Sequence, residues 1–221
     1  MISDFSNIPG LPEIMGPAKQ IAYMVNDIDA AVKHWHEEYG VGPFLVTRNA
    51  APLNNAYYRG EKARTTRVNI AFAYVGDMQL ELIELIGDTP GLYKEALDRQ
   101  NYGVHHYAVL VDDFPEAYNW ALDHGFDAVI DSGVDGLARM SYMEDPDKGL
   151  ILEVIEWNGL TRPYFEGIEK LVKSADKNQL VYEFKLDDIT PKVAVFAQLT
   201  KFAIKKLFGQ VKPTRRIAEA A

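Results

Sequence analysis

The chain has 221 residues, with 32 acidic and 23 basic side chains, five histidines, no cysteine, 48% hydrophobic and 11% aromatic residues. This excludes disulfides and thiolate metal ligands, disorder for want of apolar residues, and integral membrane contact through a helix, which needs about 20 consecutive apolar residues. The charge is uneven: residues 158–221 carry 12 Lys and Arg against 7 Asp and Glu, and residues 1–157 carry 11 against 25, so the acidic body argues against nucleic acid as a partner.

In chain order, residues 1–16 form a lead with neither a basic start nor an apolar run; no secretory signal is read there, and a cytoplasmic location is expected. A strand is predicted over about 18–25, then a helix over about 27–39, opened by Asn26-Asp27 and closed by Gly40. Apolar runs near 43–48, 67–75 and 78–86 read as three further strands, with a polar stretch from about Asn49 to Thr66 between the first two. A linker over about 87–103 carries a short helix near 90–99. The same order then returns: strand 104–111, helix 113–124 closed by Gly125, and strands near 127–131, 138–144 and 150–157.

The return is a sequence repeat. Gln20-Ile-Ala-Tyr-Met-Val-Asn-Asp aligns with His106-Tyr-Ala-Val-Leu-Val-Asp-Asp at a spacing of 86, and Leu80-Glu-Leu-Ile-Glu aligns with Leu152-Glu-Val-Ile-Glu at 72. The first copy is therefore 14 residues longer, and the stretch over 49–66 is where the insertion falls. The fold class is α+β: two βαβββ modules, about 17–86 and 103–158, pairing into a curved mixed sheet around a trough, with a helical C-terminal extension over 159–221.

Strand alternation sorts the side chains. Leu80 and Leu82, Leu152 and Val154, and the rows Ile21, Tyr23, Val25 and Tyr107, Val109, Val111 belong under the helices, leaving Glu81, Glu153, Gln20 and His106 facing the trough. Adjacent strand residues should not both enter the trough, so His106, the equivalent of Gln20, is preferred over His105. Each of the four alone could be structural, but their equivalence across the repeat sets them apart. Buried carboxylates need a positive partner. An amide, an imidazole and two carboxylates make a donor set suited to one divalent ion, Zn, Ni, Co, Mn or, less readily, Fe(II), leaving two coordination positions for vicinal oxygens of a substrate. His34, His36 and His124 are expected on the surface.

At these residues, and at Gly103-Val-His-His-Tyr-Ala, the chain resembles the vicinal oxygen chelate superfamily, which includes glyoxalase I, methylmalonyl-CoA epimerase, extradiol dioxygenases and bleomycin-type resistance proteins. The resemblance covers about residues 17–158 and implies metal ligands at Gln20, Glu81, His106 and Glu153. It also implies a metal-dependent lyase or isomerase of the glyoxalase or epimerase type, acting beside a carbonyl through a metal-stabilised enolate or enediolate. Glu153 is the first candidate base and Glu81 its counterpart. Epimerases more often carry His at the first ligand position. Extradiol dioxygenases need two histidines and one carboxylate, so Gln20 argues against iron–oxygen chemistry. The alternative reading is a non-catalytic binding protein of the bleomycin-resistance kind. Expected partners are a small carbonyl, hydroxycarbonyl or thioester substrate and a second copy of the chain. Arg67, Arg139, Tyr58 and Arg59 are candidate substrate contacts.

In the extension, Val193, Phe196, Leu199, Phe202, Ala203 and Leu207 recur at spacings of three and four, predicting a helix between Pro191 and Gly209. A helix there could dock on the acidic body or across a dimer, and could cover part of the trough.

Overall fold

The computed structural model describes residues 11–53, 56–100, 102–134 and 138–184. The first copy runs β1 (Ala18–Val25), α1 (Ile28–Tyr39), β2 (Phe44–Ala50), a hairpin of β3 (Tyr57–Tyr58) and β4 (Glu61–Lys62), β5 (Arg67–Val75) and β6 (Met78–Ile86). The short α2 (Leu92–Asp98) links it to β7 (Val104–Val111), α3 (Phe114–Asp123), β8 (Asp127–Val134), β9 (Ala138–Asp145) and β10 (Leu150–Glu156); α4 (Thr161–Ser174) and β11 (Val181–Glu183) follow.

Local chemistry sets the helix ends. Asp27 accepts a hydrogen bond from Ala30 N–H at 2.9 Å to open α1, and Gly40 closes it at φ 65°, a left-handed conformation that favours glycine. Asp113 caps α3 in the same way through Glu116 N–H at 3.0 Å.

The strands form one open, mixed sheet in the order β11-β2-β5-β6-β1-β7-β10-β9-β8-β3-β4. β1 lies parallel to β6, and β7 parallel to β10, while the β1–β7 seam is antiparallel. A pseudo-twofold axis on that seam exchanges the copies. One face of the sheet packs under α1, with Leu80, Leu82, Ile28 and Val32 buried together. Its continuation packs under α3, with Val109, Leu152, Val154, Phe114 and Tyr118 buried together. These are the helix-facing rows expected from alternation.

The other face is the trough. The insertion does more than lengthen the first copy: β3 pairs with β8, Tyr57 opposite Asp131, so a segment of one module extends the sheet edge of the other. The trough is roofed by α2 and α4, whose Leu92, Tyr93, Ala96, Ile168 and Val172 are buried with Ala22, Met24, Phe72, Ile83, Ile130 and Tyr142 from the strands. α4 falls within the extension read as partly helical, although no helix is predicted at its position, where Tyr164, Ile168 and Val172 recur every four residues; β11 is not anticipated. The helix expected between Pro191 and Gly209 lies outside the described residues.

Candidate functional site

Register brings the four repeat-related polar residues together on the trough face. Ala22 sits between Glu81 on β6 and His106 on β7, and Ala108 sits between Gln20 on β1 and Glu153 on β10. The two rows are related by the pseudo-twofold axis, and the alanines at their centres leave space for the longer side chains. All four residues are 1 to 7% exposed.

His106 Nε2 stands 3.2 Å from Glu153 Oε2 and 3.5 Å from Glu81 Oε2. Burial alone would lower the His106 pKa, but the two carboxylates outweigh it and raise it to about 9. Burial raises the Glu81 carboxyl above its ordinary range, with His106 opposing and Glu153 adding to the rise. Gln20 donates through Nε2 to Gln79 Oε1 at 2.7 Å, and Gln79 donates to the Tyr74 hydroxyl at 2.8 Å. That arrangement turns the Gln20 carbonyl oxygen away from the amide chain.

Three buried atoms here, Gln20 Oε1, His105 Nε2 and His106 Nε2, have no directed hydrogen bond among the described residues. Buried polar atoms without partners are costly and rare. Among the described residues no three His, Asp or Glu side chains already stand arranged to hold an ion, so a cation would have to draw donors into place. The donor set nevertheless fits one in kind and spacing. Ligand atoms about 2.1 Å from a common ion lie about 3.0–3.4 Å from each other, close to the separations around His106 Nε2.

The expectation that His105 stays out of the trough needs correction. Tyr23 pairs with Val104 and Ala22 with His106, so His105 is the extra residue of a β-bulge. A matching irregularity falls at Lys19, before Gln20. The bulge breaks the alternation and places both imidazoles together, His105 Nδ1 lying 2.9 Å from His106 Nδ1. Burial, then the neighbouring His106 charge, lowers the His105 pKa to about 3, against a contact with the Leu92 backbone. His105 is therefore a neutral imidazole.

Sequence reasoning also missed the tyrosines around the site, one on the sheet and two on the roof. Tyr142 on β9 stands cross-strand from Glu153 and edge-on to the His106 ring at 5.0 Å, and its hydroxyl shares a 3.0 Å hydrogen bond with that of Tyr93 on α2. Burial and the charges of Glu81 and Glu153 raise the pKa of Tyr93, Tyr142 and Tyr164, so all three remain neutral phenols. Alternation within β9 would have placed Tyr142 in the trough; the contributions of α2 and α4 left no comparable signal. A cavity between the insertion and α2, lined in part by Tyr58, Arg64, Thr66, Leu92 and Ile130, reaches the trough at Tyr93.

The proposed substrate contacts fare differently. Arg67 and Arg139 have the opposite parity to the trough residues Val68 and Tyr142: Arg67 donates to the Asn49 carbonyl at 3.0 Å, and Arg139 pairs with Glu156 at 3.1 Å above the Phe114 ring, on the α3 side. Tyr58 and Arg59 do lie on the trough side, but both engage Glu95 of α2, Tyr58 through its hydroxyl and Arg59 at 3.2 Å. They fasten the insertion to the roof. His34, His36 and His124 are exposed, as expected.

The profile of the Glyoxalase/Bleomycin resistance protein/Dioxygenase superfamily matches residues 19–142, more than half of the chain. No curated protein matches. Among solved structures, a hypothetical protein from Bacillus halodurans C-125 is 17% identical, with 64% of this chain and 94% of that chain covered at a TM-score of 0.47. Methylmalonyl-CoA epimerase from Mycobacterium tuberculosis is likewise 17% identical, with 64% of this chain and 87% of that chain covered at 0.44. A Streptomyces coelicolor methylmalonyl-CoA epimerase in complex with 2-nitronate-propionyl-CoA is 17% identical, with 63% and 93% covered at 0.43.

Proposed function

We propose, from the premise that this chain belongs to the glyoxalase/bleomycin resistance protein/dioxygenase superfamily, that it is an enzyme which moves a proton at a carbon beside a carbonyl. In this reading Gln20, Glu81, His106 and Glu153 hold one divalent ion, of the Zn, Ni, Co or Mn class. The observation that carries it is the meeting of both carboxylates at His106 Nε2, an atom without a directed hydrogen bond among the described residues, with Gln20, whose Oε1 is likewise unpartnered, in register across Ala108 from Glu153.

The ion would lower the cost of negative charge developing on oxygen next to the carbon that loses its proton. The chain's own groups supply the rest. Glu153 is the proposed proton acceptor, with Glu81 its counterpart on the other side of His106, and burial already favours the protonated form of Glu81. The apolar wall of Met24, Phe72, Ile83 and Ile130, closed by α2 and α4, keeps water from the carbanionic carbon. Epimerisation, isomerisation or lyase chemistry on a hydroxycarbonyl, aldehyde adduct or acyl thioester all use this step. The reading carries two further expectations, a homodimer and a cytoplasmic location, tested by sedimentation and by cell fractionation.

The test is metal analysis of purified protein beside Glu153→Gln. Wild type should hold about one divalent ion per chain, and the variant should bind it more than about 100-fold more weakly, a ligand mattering more than the groups that orient it. Proton exchange into α-hydroxyketones, 2-oxoaldehyde adducts and acyl thioesters in deuterated water then identifies the substrate class. A wild type that retains no divalent ion and catalyses no exchange would favour the ligand-sequestering alternative.

A further inference from the structure

We propose that His105 is a positioning residue for His106: its Nδ1 accepts the Nδ1 proton of His106 and so leaves the His106 Nε2 lone pair turned into the site. The inference rests on the metal reading above and adds to it a residue that the ligand set does not contain.

The argument begins with the bulge. By skipping His105 in the β1–β7 register, the chain brings two successive imidazoles together, 4% and 1% exposed, with ring planes 83° apart and their Nδ1 atoms at 2.9 Å. Two ring nitrogens at that distance hold one proton between them, since two lone pairs or two N–H groups would repel. Geometry alone allows either ring to own it.

A cation at His106 Nε2 breaks the tie, because a nitrogen cannot carry a proton and a metal together. Without an ion, the carboxylates 3.2 and 3.5 Å away draw a proton to Nε2; once Nε2 is given to the ion, the remaining His106 proton sits on Nδ1, where His105 receives it at 2.9 Å. His105 is held for this task by its packing against the Tyr93 ring of α2, centroids 5.3 Å apart. Ligating imidazoles generally have their second N–H held by an acceptor, and loss of that acceptor weakens metal binding about 10–100-fold.

The experiment compares Zn²⁺ affinity, by competition with a chromophoric chelator, for wild type, His105→Phe and His105→Asn. Phe keeps a ring against Tyr93 and removes the acceptor; Asn keeps an acceptor atom close to the position of Nδ1. Wild type should bind tightly, Phe about 10–100-fold more weakly, and Asn should recover most of the loss. Long-range ¹H–¹⁵N spectra of Zn²⁺-loaded wild type supply a readout that needs no variant to fold: His106 should carry its proton on Nδ1 and His105 on Nε2. Equal Zn²⁺ affinity for wild type and His105→Phe, or a His106 proton on Nε2 in the loaded protein, overturns this inference alone. A wild type that binds no Zn²⁺ or other divalent ion overturns the metal reading and this inference with it.

Discussion

His106 is held between two buried carboxylates, and in the proposed reading a cation would compete with a proton for it. In the ion-free protein its pKa is raised from the ordinary 6.5 to about 9, so the folded state binds the proton more tightly than the unfolded chain does. The stability this contributes is complete below pH 6.5 and is lost as pH rises through about 9, on the order of 3 kcal/mol in all. The raised Glu81 carboxyl acts in the same direction, beginning above its ordinary 4.5. Urea unfolding of chelator-treated protein between pH 6 and 10 should therefore show falling stability, and a flat or rising profile would contradict the geometry. If an ion binds as proposed, it must displace the His106 proton, so divalent affinity should climb with pH up to about 9, with proton release seen by calorimetry in buffers of different ionisation heat. The tyrosine pair allows a second prediction. Tyr93→Phe leaves the Tyr142 hydroxyl buried without its 3.0 Å partner and should cost about 1–3 kcal/mol. Adding Tyr142→Phe should cost less than the sum of the single changes in a denaturant double-mutant cycle, whereas simple additivity would mean the bond contributes nothing. Four of the site's residues were legible in the sequence because duplication marks equivalent positions. His105 was not, because one inserted residue in a register changes which face a side chain takes, and alternation assumes that no such residue exists.

Among the elements, the strands and helices of both modules lie within a few residues of their expected positions, since caps and apolar periods are short-range signals. The insertion shows where such signals stop. Its polar composition reads as a loop, and its hairpin acquires strand geometry by pairing with β8 of the other module. The β8–β9 hairpin it leans on depends on Gly133. A side chain there would place Cβ 2.0 Å from the Ala138 carbonyl oxygen, at a backbone φ of 103° that favours glycine. Gly133→Ala should cost at least about 1–3 kcal/mol, measured as a drop in Tm, and should speed amide exchange in β8 and in β3 together. Unchanged exchange in β3 would show that the insertion is held by Glu95 alone.

 Glu95 meets Tyr58 and Arg59 from α2, a partly exposed contact of the kind that contributes at most about 1 kcal/mol, so the backbone pairing with β8 is expected to dominate.

Across the whole molecule, the two modules form the floor of the trough, and the chain beyond them supplies part of the roof. Ile168 of α4 is fully buried among trough residues, 0% exposed. Ile168→Ala should cost about 2–5 kcal/mol, the range for a large-to-small change in a packed core, and should loosen the cover over Glu81 and His106. Chemical denaturation measures the first effect and faster amide exchange in α4 the second; a loss below about 1 kcal/mol would mean that α4 rests on the sheet without sealing it. The sequence by itself determined the duplicated α+β plan, the helix-facing and trough-facing rows, and the four polar residues that meet at the seam, because periodicity, capping and internal repetition are carried by residues close in the chain or equivalent in the two copies. Only the tertiary structure decided that His105 joins His106, that Tyr93 and Tyr164 of the roof close over the carboxylates beside Tyr142 of the sheet, that Arg67 and Arg139 serve the opposite face, and that the insertion of one module edges the sheet of the other. Each of these depends on strand register or packing between segments far apart in sequence, and such contacts are fixed by the closing of the fold as a whole.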